Sequence, residues 1–288
     1  MRSWKLGRAF GINIYVHWTF LLIVGLVLYQ NWNIGGADQA LFGVIVLFAA
    51  FGCVVLHELG HALMARRFGI PTRDITLYPI GGVARLERMS ERPWEEFCIA
   101  VAGPAVNVVI AAVLAVPAIL SMRVIDGAPD LLHRNFVLAL FLVNLVLVLF
   151  NMVPAFPMDG GRVLRALLVN PLGRVRATQV AATLGAVFAL VLVLFGFLPA
   201  LFGQAINPVL PVIGMFVFMI GRQELALVRY QERLRRSEPV DVLPVDSEVL
   251  DVIPVNRDDH FSGSVWDQQR RLCVIWRNGR PVYSYRLD

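Results

Sequence analysis

Long apolar runs separated by short polar breaks dominate the first 221 residues. Six such runs can be drawn, at 12–30, 41–65, 97–121, 135–153, 178–200 and 205–221. A helix needs about 20 mostly apolar residues to cross the hydrocarbon core of a bilayer, and every run is near that length. The sixth is the shortest and holds Pro208 and Pro211, which leave its start open. The first follows Arg2, Lys5 and Arg8 but lacks a small-x-small cleavage site before Tyr29, so it reads as a retained span rather than a signal peptide. The pattern predicts a mainly α, polytopic membrane protein with about six transmembrane helices.

Two segments break this pattern. Residues 68–93 carry Arg73, Asp74, Arg85, Glu87, Arg88 and Glu91, too many charges for a span. Apolar and polar residues roughly alternate on both sides of Gly81 and Gly82, which predicts a short β-hairpin turning there, at the membrane surface. Pro79 should end its first strand early or hold it at an edge. After Arg236 the composition shifts again. The segment 240–246 is echoed by 250–256, and Leu272-Cys-Val-Ile-Trp276 and Pro281-Val-Tyr-Ser-Tyr285 flank Asn278-Gly279, a strong hairpin signal. The chain therefore reads as a membrane domain over 1–222, a basic helical linker over 223–236 and a small β-rich tail over 237–288.

Composition fits lipid. Hydrophobic residues make up 57% and charged residues 16%, against about 25% charged in soluble domains. The net charge of +5 comes from basic residues at the ends of apolar runs, with no stripe of interleaved aromatics, so nucleic acid is excluded as a partner. With six spans and a cytosolic N-terminus, all but Arg123 and Arg134 of the 26 Lys and Arg fall on the cytosolic side. The positive-inside rule thus puts both termini in the cytosol of a cell-membrane protein and the hairpin on the cytosolic surface. Arginine far outnumbers lysine, which favours a prokaryotic source. Cys53, Cys98 and Cys273 show no CxxC spacing, which argues against a disulfide framework.

The chemistry concentrates at the end of the second run, in His57-Glu58-Leu59-Gly60-His61. Residues four apart share a helix face, so both imidazoles can reach one ion, and Zn²⁺ takes such nitrogen ligands. Glu58 stands where a general base for zinc-activated water would stand. Ionisable groups inside an apolar run are costly and mark function. A catalytic zinc needs a third protein ligand. Asp159, in Asn151-Met-Val-Pro-Ala-Phe-Pro-Met-Asp-Gly-Gly-Arg162, follows the fourth run and so reaches the same side of the membrane at similar depth. Pro154 and Pro157 interrupt helix there. Asn107, near Gly103 and Pro104 at the start of the third run, is a candidate hydrogen-bonding support for the ligands or a packing residue between helices.

These motifs closely resemble the site-2 protease family of intramembrane zinc metalloproteases. The resemblance rests on His57-Glu-Leu-Gly-His61 and on the Asn151 to Gly161 segment, with further likeness in residues 8–20 and 102–107, and covers about residues 7–222. It implies His57, His61 and Asp159 as ligands of one Zn²⁺ and Glu58 as the acid/base. It also implies Asn151 as a group that holds substrate or the developing oxyanion. The substrate it implies is a single-span regulatory membrane protein, cut within or near its transmembrane segment. The tail is too short for the paired nucleotide-sensing domains that some relatives carry. Gly81 and Gly82 mark a strand that could receive unwound substrate by strand addition. A membrane metal transporter and an inactive membrane adaptor are the alternative readings, and the intact Glu58 and the scarcity of other acidic residues in the spans disfavour both.

Overall fold

The computed structural model describes residues 3–79, 81–88, 90, 92–124, 135–203, 205–236, 263–267, 272–277 and 280–286. The chain divides into two units, Met1–Val228 and Arg229–Asp288. It is mainly helical, with two small sheets.

The first unit opens with two antiparallel strands, β1 (Ser3–Ala9) and β2 (Ile12–His17). They join through Phe10 and Gly11, with φ of 50° and 88°, the positive values that a two-residue turn between twisted strands requires. This corrects the first apolar run, whose opening residues form a strand and not a helix. Ile12, Ile14 and Val16 are buried while the residues between them are less so. That period of two is the strand signature, and the apolar content of the run conceals it.

The helix α1 (Phe20–Arg67) breaks at Gly35 and Gly36, where Gly36 has φ of 68°. Its arms, 20–34 and 37–67, fold back on each other. The ring of Phe20 lies 4.6 Å from that of Phe51 and 5.8 Å from that of Phe48, whereas a straight helix would separate residues 20 and 51 by about 46 Å. The first two runs are therefore the two arms of one helical hairpin.

Strands β3 (Thr72–Tyr78) and β4 (Gly81–Leu86) form the expected hairpin and extend the first sheet to the order β1-β2-β3-β4. β2 and β3 run parallel; the other pairs are antiparallel. β3 stops just before Pro79. The turn does not lie at Gly81 and Gly82, as the alternation had indicated. Tyr78 pairs with Gly81 and Leu77 with Gly82, so both glycines belong to β4. One face of the sheet packs on both arms of α1. Ile12 and Ile75 meet Leu59 and Ala62, and Val16 and Leu77 meet Phe20 and Phe51. A Cβ at position 82 would lie 2.7 Å from Cγ of Glu58. Gly82 is thus needed for close approach of strand to helix, not for a turn.

The remaining helices are α2 (Pro93–Val124), α3 (Phe136–Asn151), α4 (Asp159–Leu172), α5 (Arg174–Phe197) and α6 (Val209–Arg236), with a 3₁₀ turn at Leu198–Phe202. Asn135 caps α3 by accepting from the Leu138 N–H. The helix α6 begins directly after Pro208 and runs unbroken through residues 223–236. Helix α4 was not anticipated. Its 14 residues carry glycines at the start and Pro171 near the end, and only one face is apolar. Each of the six apolar runs contains helix. Phe20–Arg67, Pro93–Ser121, Arg174–Phe202 and Val209–Arg233 are long and apolar enough to cross a bilayer, while α3 is shorter at 16 residues. The chain is a multi-pass membrane protein.

In the second unit, β5 (Gly263–Asp267), β6 (Leu272–Arg277) and β7 (Arg280–Arg286) make an antiparallel sheet in that order. Arg277 pairs with Arg280, which agrees with the hairpin expected around Asn278-Gly279. The echoed segments at 240–256 lie outside the described residues.

Candidate metal centre

The second arm of α1 carries His57, Glu58 and His61 to a point where it crosses α2 with little side-chain volume between the backbones. A Cβ on Gly60 would stand 2.7 Å from the Ala102 carbonyl oxygen. From α2, Gly103 and Asn107 lie on one face, four residues apart. A Cβ at 103 would be 2.5 Å from Cε1 of His61 and 2.8 Å from Nε2 of His57. Gly103 therefore keeps open the space in front of both rings. In the sequence Gly103 is only a small residue near Asn107; its place in front of the rings becomes visible with the crossing of the two helices.

Asp159 reaches the same point at the first residue of α4. The segment before it folds tightly under the helix. Ala155 N–H donates to Val153 O at 2.7 Å, and Met158 N–H to Ala155 O at 3.0 Å. Gly160 and Gly161 allow this, since a Cβ on either would lie within 2.7 Å of backbone atoms in residues 152–156. The contact explains the Asp-Gly-Gly run better than conformational freedom does, because neither glycine has positive φ.

The three candidate ligands converge. His57 Nε2, His61 Nε2 and Asp159 Oδ2 are each 3.1 Å from the other two, and all three residues are buried. Their other ring nitrogens fix what these atoms can be. His57 Nδ1 donates to Asn107 Oδ1 at 2.5 Å, and His61 Nδ1 donates to the Ile99 carbonyl at 2.6 Å. In neutral rings, both Nε2 atoms then present lone pairs toward each other and toward a carboxylate oxygen. Three acceptors facing one point without a donor is unfavourable in a buried site; a cation resolves it. Tetrahedral ligands at about 2.0–2.1 Å from zinc stand about 3.3 Å apart, so the triangle is nearly the right size as it stands. The donor set of two imidazoles and one carboxylate leaves a fourth position open, the catalytic rather than the structural arrangement.

Supporting bonds extend outward. Asn107 Nδ2 donates to Asn144 Oδ1 at 2.8 Å, and Asn144 Nδ2 donates to the Leu140 carbonyl at 2.8 Å and toward Cys53 Sγ at 3.3 Å. Asn107 and Asn144 have no solvent exposure. The relay orients His57 by a carboxamide, as metal-binding histidines are commonly oriented by an outer acceptor. Asn107→Leu, of similar volume, is expected to weaken zinc affinity by about 10–100-fold, read by competition with a chromophoric chelator. Asn144 was not singled out from the sequence, although a polar residue in the middle of so apolar a helix was available as a signal.

Glu58 is half-buried beside the triangle, and its Oε2 accepts the N–H of Ala84 in β4 at 3.1 Å. The sheet thus holds the carboxylate in place. Asn151 ends α3, half-buried, and its side chain makes no hydrogen bond among the described residues. Gly81 and Gly82 open the edge strand that runs past Glu58.

Behind the site, Arg165 of α4 has no solvent exposure. Its Nε donates to Glu96 Oε1 at 2.7 Å and its Nη1 to Glu224 Oε1 at 2.6 Å, and its guanidinium lies 4.8 Å over the ring of Phe156. It ties α2, α4 and α6 together around the loop that delivers Asp159. Cys53, Cys98 and Cys273 are free thiols.

Apolar helices around a buried His-His-Asp group that could hold a metal ion define the class: a membrane protein with a candidate metal centre. Peptidase family M50 matches residues 45–123 and 119–194. A zinc metalloprotease of Methanocaldococcus jannaschii is 35% identical over 245 residues, 84% of this chain and 66% of that protein. A protein of Mycobacterium tuberculosis named as a candidate zinc metalloprotease, Rip3, is 35% identical over 240 residues, 79% of this chain and 60% of its own length. The solved structure of a site-2 protease from Methanocaldococcus jannaschii superposes with a TM-score of 0.57 at 35% identity, covering 78% of this chain and 95% of that one. The chain belongs to peptidase family M50, the site-2 protease family. It spans 66% and 60% of the lengths of the two named relatives.

Proposed function

We propose that the chain is a zinc metalloendopeptidase that hydrolyses a peptide bond within or near the transmembrane segment of a single-span regulatory membrane protein. His57, His61 and Asp159 hold the ion, and Glu58 is the acid/base. The observation that carries this reading is the 3.1 Å triangle of buried ligand atoms with a restrained carboxylate beside it. The names of the relatives support zinc as the metal.

When bound, zinc supplies Lewis acidity that polarises a carbonyl and acidifies water. The chain's own groups do the rest. Glu58 accepts a proton from the attacking water and returns it to the leaving amine. Asn151, whose carboxamide has no hydrogen bond among the described residues, donates to the oxygen on which negative charge develops. Asn107 and the Ile99 carbonyl hold the two imidazoles in the tautomer that faces the ion.

A helical substrate hides its carbonyls in i→i−4 bonds, so the segment to be cut unwinds first. The edge of β4 offers a place for it. In an antiparallel pair both backbone groups of a residue point the same way, and the direction alternates along the strand. The Ala84 N–H goes to Glu58, away from β3, so Gly82 also turns its N–H and C=O to the open edge. Strand addition there would lay substrate alongside Glu58. The six-span arrangement with both termini in the cytosol follows from the distribution of arginine and opens the site to cytosolic water.

The test is co-expression with candidate single-span membrane proteins, followed by cleavage of the same pairs in detergent. Zinc-dependent cleavage, stopped by a chelator and restored by Zn²⁺, is expected. Cleavage that persists in the metal-free protein would remove the proposal.

A further inference from the structure

A cavity of about 920 Å³ adjoins the metal centre at two residues. One is Ala84, whose N–H holds Glu58. The other is Arg162, three residues along α4 from Asp159 and so on the same helix face. The loop residues Phe156 and Pro157 and the α6 residues Ile220 and Leu227 supply apolar wall.

The charges around this cavity are unevenly matched. Arg85 pairs with Asp74 at 3.5 Å, and Glu224 is taken by Arg165 at 2.6 Å. Arg73 in β3 and Glu87 just after β4 are exposed. Arg162 differs from all of these. It is half-buried, its Nε is buried without a hydrogen-bond partner, and it forms no ion pair among the described residues. A buried donor left without an acceptor costs free energy. Such a group persists where a ligand brings the acceptor. A planar guanidinium fork matches a carboxylate.

We propose that Arg162 forms a carboxylate-binding subsite for the peptide that lies along β4. The inference rests on the protease reading above and deepens it. Two groups on that peptide supply a carboxylate: an acidic side chain close to the scissile bond, or the C-terminal carboxylate that hydrolysis leaves on the amino-terminal product.

Full-length zinc-loaded protein in detergent tests both. In the first arm, Glu and Gln are exchanged at each position flanking the scissile bond of a cleaved substrate. One position is expected at which Glu gives kcat/KM about tenfold above Gln. R162Q treats the two alike, and R162K falls between. In the second arm, the amino-terminal product peptide is compared as free acid and as amide. The acid is expected to inhibit about tenfold better in the wild type and no better in R162Q. A preference in either arm that disappears in R162Q supports the subsite. A wild type indifferent to charge in both arms overturns it, and so does a preference that survives in R162Q. The wild-type comparison stands even if R162Q fails to fold. Cleavage without charge preference removes the subsite alone. A wild type that cleaves nothing, like Glu58→Gln, removes the protease reading and the subsite with it.

Discussion

Replacing Glu58 with glutamine is expected to lower cleavage by about 10²–10⁴-fold while zinc stays bound. The substitution keeps the size of the side chain and its acceptor oxygen, so the Ala84 N–H keeps its partner. It removes only the capacity to take a proton from water and hand it to the amine. The triangle of His57, His61 and Asp159 does not include Glu58, and so the metal content should not change. Cleavage rate and zinc content measured on the same preparations check this. The result also separates the alternatives left by the sequence. A transporter would keep moving metal and an adaptor would keep its partner after this change, whereas an enzyme stops with its zinc in place.

Gly103→Ala is expected to abolish zinc binding and activity together. The added methyl would stand 2.5 Å from Cε1 of His61 and 2.8 Å from Nε2 of His57, in front of both rings where the proposed ion would be held. Close-packed interiors do not yield that much room without displacing backbone, and the nearby crossing at Gly60 has none to give, with the Ala102 carbonyl 2.7 Å from its would-be Cβ. The control is Gly52→Ala on the same arm of α1, where a Cβ meets nothing within 4 Å. That variant should retain zinc and, by removing a helix-interior glycine, gain about 0.5–1 kcal/mol of stability. Zinc retained by Gly103→Ala would mean that the rings rearrange freely, contrary to the packing described here.

The site was readable from the sequence to the extent that its chemistry is local or periodic. His57 and His61 announce themselves by helical spacing inside an apolar run. Asp159 is found by asking which distant carboxylate reaches the same membrane depth. Asn107 is visible in the sequence only as one of two readings, and its bond to His57 Nδ1 is what the ligand-supporting reading rests on. Asn144 and Arg165 were missed for a different reason. Their roles depend on which helices become neighbours, and no residue nearby in sequence records that. Arg165 reads as a loop cation facing the cytosol, yet it is fully buried between two glutamates from helices 69 and 59 residues away.

The errors in the fold have physical causes as well. The apolar content of residues 12–17 makes them look like the start of a span, although their burial alternates with the period of a strand. Paired glycines usually break chain direction, which makes Gly81 and Gly82 look like a turn. Instead both open β4, where Gly82 makes room for Glu58. The bend in α1 at Gly35 and Gly36 shows the opposite use: glycine there supplies backbone angles that let one apolar stretch return as two packed arms.

X-ray absorption at the zinc edge of the purified protein bears most directly on the metal centre. One zinc per chain is expected, with light scatterers only, at about 2.0–2.1 Å, two of them imidazole. The imidazole signal should drop by one ring in His57→Ala and in His61→Ala. A thiolate shell at about 2.3 Å, or a spectrum indifferent to those substitutions, would contradict it.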